Sequence, residues 1–122
     1  MIDHVVLNVR DLAGSRKFYE QALAPLGYAA IMEFTDWVGF GMAGKADFWL
    51  ARRDPANTGV HVALRCSKRS EVDGFHAAAM KAGGKDHGKP GLREDYHPHY
   101  YGAFALDPDG NNIEVVCHDP KG

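Results

Sequence analysis

The feature of this 122-residue sequence that most constrains its fold is an internal repeat. The segment His4-Val5-Val6-Leu7-Asn8-Val9 returns 57 residues later as His61-Val62-Ala63-Leu64-Arg65-Cys66. Three further identities keep the same offset: Phe18 with Phe75, Ala22 with Ala79, and Gly27 with Gly84. A solenoid needs three or more repeats to bury its core. Two copies therefore predict a single pseudo-twofold domain with two similar halves.

The first half has the pattern of a strand, a helix and further strands. Residues 2–9 are rich in β-branched residues, which is typical of a strand. Asp11 is suited to cap a helix over roughly 12–25, whose apolar residues recur at helical spacing. Further strands are expected near residues 28–34, 36–43 and 46–51.

The second half repeats this order. It predicts a strand near 59–66 and a helix near 69–82, which Gly83-Gly84 ends. Strands are expected near 85–89, 100–107 and 111–117, with a long loop at 88–99. The segment Asp107-Pro108-Asp109-Gly110 predicts a tight turn before the last strand. We therefore expect one domain over 1–122, with modules at about 1–52 and 59–118.

Composition excludes several classes of function. The formal net charge is −2, from 14 basic and 16 acidic residues, and no dense Lys/Arg stripe is present, so we expect no nucleic-acid binding. No apolar run approaches the roughly 18 residues of a membrane span, so we expect no membrane insertion. No signal peptide is visible, and Cys66 and Cys117 form no metal-binding spacing. Reduced thiols and a cytoplasmic location are the expectation.

Alternation along the strands places three possible metal ligands on corresponding faces. His4 and His61 are repeat-related, and Glu114 lies on the last strand, on the face opposite Ile113 and Val115. A single strand histidine is most often structural, so the hypothesis depends on all three occurring together. Two imidazoles and one carboxylate form a facial triad that leaves coordination positions open on Fe(II) or a similar ion.

These motifs resemble the glyoxalase, bleomycin-resistance and extradiol-dioxygenase superfamily, the vicinal oxygen chelate proteins. The resemblance implies an α+β fold of two βαβββ modules that form an open, barrel-like cleft, often in a dimer. It also implies that His4, His61 and Glu114 bind a divalent metal ion, with Fe, Mn, Ni, Zn and Mg all open. The matching segments cover almost the whole chain: Ile2 to Val9, Asp11-Leu12, Phe18-Tyr19, Gly59 to Leu64, and Asp107 to Glu114.

One position departs from the family pattern. Glyoxalase I has a fourth ligand, a Glu on the last strand of the first module, and here Trp49 takes that place. Asp47 is expected on the same face, two residues earlier. Tryptophan can neither bind the metal nor act as the base that moves a proton, which puts glyoxalase I chemistry in doubt. The remaining His-His-Glu set is similar to that of the extradiol dioxygenases.

Two functions remain open at this point, because a fold alone does not define chemistry. The first is a divalent-metal-dependent enzyme, of lyase or dioxygenase type, that acts on a small oxygenated molecule. The second is a non-catalytic drug- or metabolite-binding resistance protein. Candidate acid–base residues are Tyr100, Tyr101 and His99; candidate pocket residues are Trp49, Asp47, Arg65 and Tyr101.

The repeat also predicts a homodimer. Each βαβββ half curls a sheet that cannot close a cleft alone. Either the other half of the same chain or the equivalent half of a partner can complete it. The second route would place His4 of one chain against His61 and Glu114 of the other, in two equivalent sites. The polar connector near 52–58 is long enough to permit both routes.

Overall fold

Two four-stranded mixed sheets and two helices form the fold, which the computed structural model describes for all 122 residues. The first module contains β1 (Val5–Val9), α1 (Leu12–Leu23), a 3-10 turn (Ala24–Leu26), β2 (Ala29–Phe34), β3 (Trp37–Met42) and β4 (Lys45–Arg52). The second contains β5 (His61–Cys66), α2 (Arg69–Lys81), β6 (Lys85–Leu92), β7 (Tyr101–Leu106) and β8 (Asn112–Cys117). The predicted α+β fold of two βαβββ modules with an open cleft is confirmed.

The strand order is the same in both modules. The sheets run β1-β4-β3-β2 and β5-β8-β7-β6, with the first and last strands of each module parallel and the other neighbours antiparallel. Val6 lies opposite Trp49, and Ala63 lies opposite Glu114. Because Val6 and Ala63 correspond in the repeat, Trp49 and Glu114 occupy equivalent places in their sheets.

The two helices join the modules in one core. Asp11 caps α1 by accepting a hydrogen bond from the backbone N–H of Gly14 at 3.1 Å. Helix α1 buries Phe18 and Tyr19, α2 buries Phe75, and the helices pack against each other. The resulting cluster of 19 buried residues includes the inner faces of both sheets. Neither helix is long and apolar enough to cross a membrane.

A buried polar network anchors the turn before β8. The Tyr19 hydroxyl donates to Asp107 at 2.5 Å, and burial, followed by the charge of Asp107, raises the pKa of Tyr19. Asp107 also accepts from the backbone N–H of Asn111 at 2.8 Å. The Asn111 side chain donates to the Asn57 carbonyl at 3.0 Å, and Asn57 exchanges hydrogen bonds with the backbone of Asn8. Helix α1, the turn, the connector and β1 are thereby linked.

The second module is longer than the first in the region before β7. The sequence predicts that the preceding strand ends near residue 89, whereas β6 continues to Leu92. The reason is the Arg93 guanidinium, which donates to carbonyls of both β6 and β7. Residues 93–100 then form the β6–β7 loop, whereas the corresponding β2–β3 connection is only residues 35–36.

We expect Tyr19→Phe to lower the free energy of unfolding by about 1.5–3 kcal/mol, because it removes a buried hydrogen bond to a carboxylate. Tyr28→Phe is the matched control, since its hydroxyl also donates to an aspartate, Asp47, at 3.0 Å but from a half-buried position. Its cost should stay below about 1 kcal/mol. Urea denaturation at pH 7 measures both variants. Equal losses would contradict a special role for the buried network.

Candidate functional site

A histidine–glutamate pair lies on the outer face of the second sheet, the face turned away from the helices. Ala63 on β5 pairs with Glu114 on β8, and His61 lies two residues before Ala63 on the same face. The His61 Nε2 atom is 2.9 Å from Glu114 Oε1. The His61 side chain is 51% exposed, whereas that of Glu114 is 1% exposed. The imidazole therefore connects a buried carboxylate with the open side of the sheet.

Tyr100 contacts the other oxygen of this carboxylate, because its hydroxyl donates a hydrogen bond to Glu114 Oε2. Burial and the neighbouring carboxylate raise the pKa of Tyr100, so the phenol is a neutral donor at physiological pH. Gly102 provides the space for this contact. A Cβ atom at Gly102 would lie 3.2 Å from the Tyr100 ring and 3.4 Å from Glu114 Oε2.

The other two acid–base candidates do not contact Glu114. Tyr101 donates to Asp73 on helix α2 at 2.6 Å, and this hydrogen bond raises the pKa of Tyr101. His99 is exposed in the β6–β7 loop, with its ring 6.4 Å from that of His97. Of the three candidates, Tyr100 alone reaches the His61–Glu114 pair.

The charge of Glu114 is incompletely compensated. Its one ion-pair partner is His61, which carries charge only when protonated. Each hydrogen bond to a charged group contributes about 1.5–3 kcal/mol, whereas burying an ion costs several kcal/mol. A divalent cation at Oε1 would supply the missing charge. Imidazole with carboxylate is also a suitable donor set for zinc, iron, manganese or nickel, so these two residues fit a metal ion.

His4 does not form a three-ligand cluster with this pair, although His4 and His61 line one pocket between the N-terminal end of β1 and β5. It precedes β1 on the first module, is exposed, and has Nδ1 2.7 Å from Asp3 Oδ1. Within the single chain no three His, Cys, Asp or Glu side chains converge closely enough to hold a metal ion. One chain thus brings together two of the three predicted ligands, His61 and Glu114, and leaves His4 on the other sheet.

The outer face of the first sheet is apolar, whereas the outer face of the second sheet is polar. It forms a cavity of about 670 Å³, and the Trp37 and Trp49 rings meet edge to face in it with centroids 6.3 Å apart. Gly39 lies against Trp49, because a Cβ atom there would be 2.9 Å from the indole. Met32 and Phe34 were not among the predicted pocket residues; their signal in the sequence is two apolar side chains two residues apart on β2, which share one face and are exposed. The main lining residues are His4, Val6, Met32, Phe34, Trp37 and Trp49.

Three of the four predicted pocket residues, Asp47, Arg65 and Tyr101, lie outside this cavity. The β3–β4 register shifts at Asp47, so that Ala46 lines the cavity with Trp49. Asp47 accepts a hydrogen bond from Tyr28, and burial together with this bond raises the pKa of Tyr28 to about 12. Arg65 lines a separate groove beside Tyr28. The strict alternation that predicts Asp47 beside Trp49 is interrupted by this β-bulge.

The fold and the site together define the class of this protein. It is a two-module α+β protein whose βαβββ modules carry potential ligands on the outer faces of their sheets. The family model that matches residues 1–115 is described as the Glyoxalase/Bleomycin resistance protein/Dioxygenase superfamily. The chain belongs to this superfamily. The resemblance inferred from the sequence motifs is thereby confirmed.

Solved structures agree with this assignment. The chain is 28% identical to a glyoxalase/bleomycin resistance protein from Albidiferax ferrireducens, with a TM-score of 0.82 over 94% of this chain and 96% of that one. A glyoxalase/bleomycin resistance protein/dioxygenase family enzyme from Burkholderia phytofirmans is similar in fold, at 18% identity and a TM-score of 0.73, over 96% and 98% of the two chains. A glyoxalase-related enzyme from Fulvimarina pelagi has a TM-score of 0.71 at 19% identity, over 96% and 87%. No curated protein matches the chain.

We expect the uncharged probe N-phenyl-1-naphthylamine to bind in the Trp37–Trp49 cavity. Trp49→Ala should weaken this binding about three- to tenfold, because an aromatic contact contributes about 0.5–1.5 kcal/mol beyond its buried area. Fluorescence titration measures the affinity. Tyr96→Ala is the control, since Tyr96 is an exposed aromatic residue outside the cavity. Equal weakening by both variants would contradict binding at this face.

Proposed function

We propose that this protein is a divalent-metal-dependent enzyme, of lyase or dioxygenase type, that acts on a small oxygenated molecule. The observation that carries the proposal is the buried Glu114 carboxylate, which contacts His61 and has no permanently charged cationic partner. His61 and Glu114 would hold the ion together with His4. When bound, the ion would chelate two neighbouring substrate oxygens and stabilise the negative charge that develops on them.

The other residues of the site act on position and environment. Tyr100 donates to Oε2 of Glu114, which leaves Oε1 directed at His61. Such hydrogen bonds orient ligating carboxylates and fix which oxygen is available to a metal. The aromatic wall formed by Trp37 and Trp49 would exclude water and position the apolar part of the substrate.

We further propose that a homodimer completes the site. Helices cover the inner faces of both sheets, and His4 does not converge with His61 and Glu114 in one chain. β1 and β5 are both edge strands, and residues of both line one pocket of this chain, so the same chain or a second copy can bring the two sheets together. A twofold pairing of this kind would build two equivalent clefts, each with an apolar wall and a polar wall.

Metal analysis tests the proposal directly. Protein purified without chelator, or reloaded with Mn²⁺ or Zn²⁺, should bind metal, and His61→Ala or Glu114→Gln should lower the affinity at least about tenfold. His76→Ala is the matched control, since His76 Nε2 lies 2.9 Å from Asp86 Oδ1 in a similar pair outside the cleft.

Three outcomes would refute the metal site. Negligible metal in the wild-type protein and all variants would do so. Wild-type affinity in the His61→Ala variant would place the ion elsewhere. Loss of metal in His76→Ala equal to that in His61→Ala would show that any surface histidine accounts for the binding.

A second candidate function is a binding protein that sequesters a drug or metabolite without turnover. Trp49 favours this second function. At the position equivalent to Glu114 the first sheet carries an apolar ring in place of a carboxylate that could serve as a second base. Stoichiometry distinguishes the two functions. A sequestering protein protects at most one ligand per site, whereas an enzyme consumes many substrate molecules per site.

A further inference from the structure

Three arginines lie where β1 and β4 end, and one of them, Arg53, contacts Trp37 of the aromatic cavity. β1 and β4 are parallel neighbours with Val9 opposite Arg52, so Arg10, Arg52 and Arg53 meet where the two strands end. These three residues, the arginine rim, line one groove. Arg10 and Arg52 also line a neighbouring groove that is shared with Trp37, which in turn lines the aromatic cavity. The cavity and the rim therefore form one continuous surface.

Two of the three guanidinium groups have no carboxylate partner. Arg52 forms an ion pair with Asp36 at 2.8 Å. Arg10 and Arg53 form no ion pair with any acidic side chain of the protein. Asp54 is the one carboxylate residue that lines the rim groove, whereas Asp11, Glu33 and Asp36 line the neighbouring groove that contains Trp37. The rim is thus a positive region on a chain whose net charge is −2.

Arg53 is held against the wall of the cavity. Its Cζ atom lies 4.2 Å from the centre of the Trp37 ring, a cation–π contact. A guanidinium is planar and contacts the aromatic ring through its flat face. The N–H groups in its plane can therefore still donate hydrogen bonds to a ligand. Those N–H groups match the geometry of carboxylate, phosphate and sulfonate oxygens. An apolar surface and an anion-binding group are therefore fixed side by side through one residue, Trp37.

We infer that the ligand of this protein carries an anionic group, which the arginine rim binds while the apolar part of the ligand lies against Trp37 and Trp49. The ligand class is an amphipathic acid, whose anionic group is a carboxylate, phosphate or sulfonate. This inference rests on the proposed function in one respect, which is that the substrate binds in the aromatic cavity. It requires no metal ion.

Two probes with the same ring system separate the contributions of charge and apolar contact. 8-Anilinonaphthalene-1-sulfonate carries the anion, whereas N-phenyl-1-naphthylamine does not. Arg53→Gln and Arg10→Gln should each weaken binding of the sulfonate about five- to tenfold and change binding of the neutral probe less than about twofold. Raising the ionic strength from about 0.02 to 0.3 M should weaken only the sulfonate, because salt screens exposed charges.

Arg69→Gln is the matched control, because Arg69 also stacks over an aromatic ring, Tyr101 at 5.2 Å, but lies on the second module. It should leave both probes unchanged, and circular dichroism checks that each variant is folded. The inference is overturned if both rim variants leave the sulfonate affinity unchanged, if they weaken both probes equally, or if Arg69→Gln has the same effect. The metal measurement on His61→Ala is independent, so failure of the metal site and failure of the arginine rim are distinguishable.

Discussion

The packing of α1 against α2 is the constraint on which the rest of this structure depends. A chain of 122 residues supports about one core, and both helices contribute their apolar faces to it. The inner faces of the sheets are consequently covered, with Phe18 and Phe75 buried at repeat-related positions. The outer faces are left for function, and the single chain provides no helix to cover them.

The two outer faces have become different although their strands are equivalent. Glu114 and Trp49 occupy corresponding places, and one makes a polar site whereas the other makes an apolar wall. Glu114 lies 65 residues after Trp49, although His61 lies 57 after His4. The eight additional residues lie in β6 and the β6–β7 loop, which supplies Tyr100 to the polar face. In the proposed dimer, pairing of these unlike faces would give a cleft that can orient an amphipathic molecule.

The sequence predicts more of the fold than of the site. The repeat indicates both modules. The equivalence of Trp49 and Glu114 follows from their apolar neighbours, since Phe48 and Leu50 match Ile113 and Val115. Alternation cannot foresee the bulge at Asp47, which depends on the partner strand. Alternation also cannot predict that Tyr100 faces Glu114 while Tyr101 faces helix α2. A shift of one residue in the strand pairing would move each side chain to the opposite face of the sheet. The meeting of Arg10 with Arg53 likewise depends on which strands are neighbours.

Whether two chains share each metal site can be decided with a mixed dimer. His4→Ala and Glu114→Ala chains with different tags are co-expressed, and the heterodimer is isolated by two affinity steps. A shared site predicts one tightly bound metal ion per heterodimer, because one cleft keeps His4, His61 and Glu114 while the other loses two ligands. Each homodimer of a single variant should bind metal only weakly. If the isolated heterodimer binds no more tightly than the homodimers while the wild-type dimer binds two ions, the sites lie within single chains and no shared site exists.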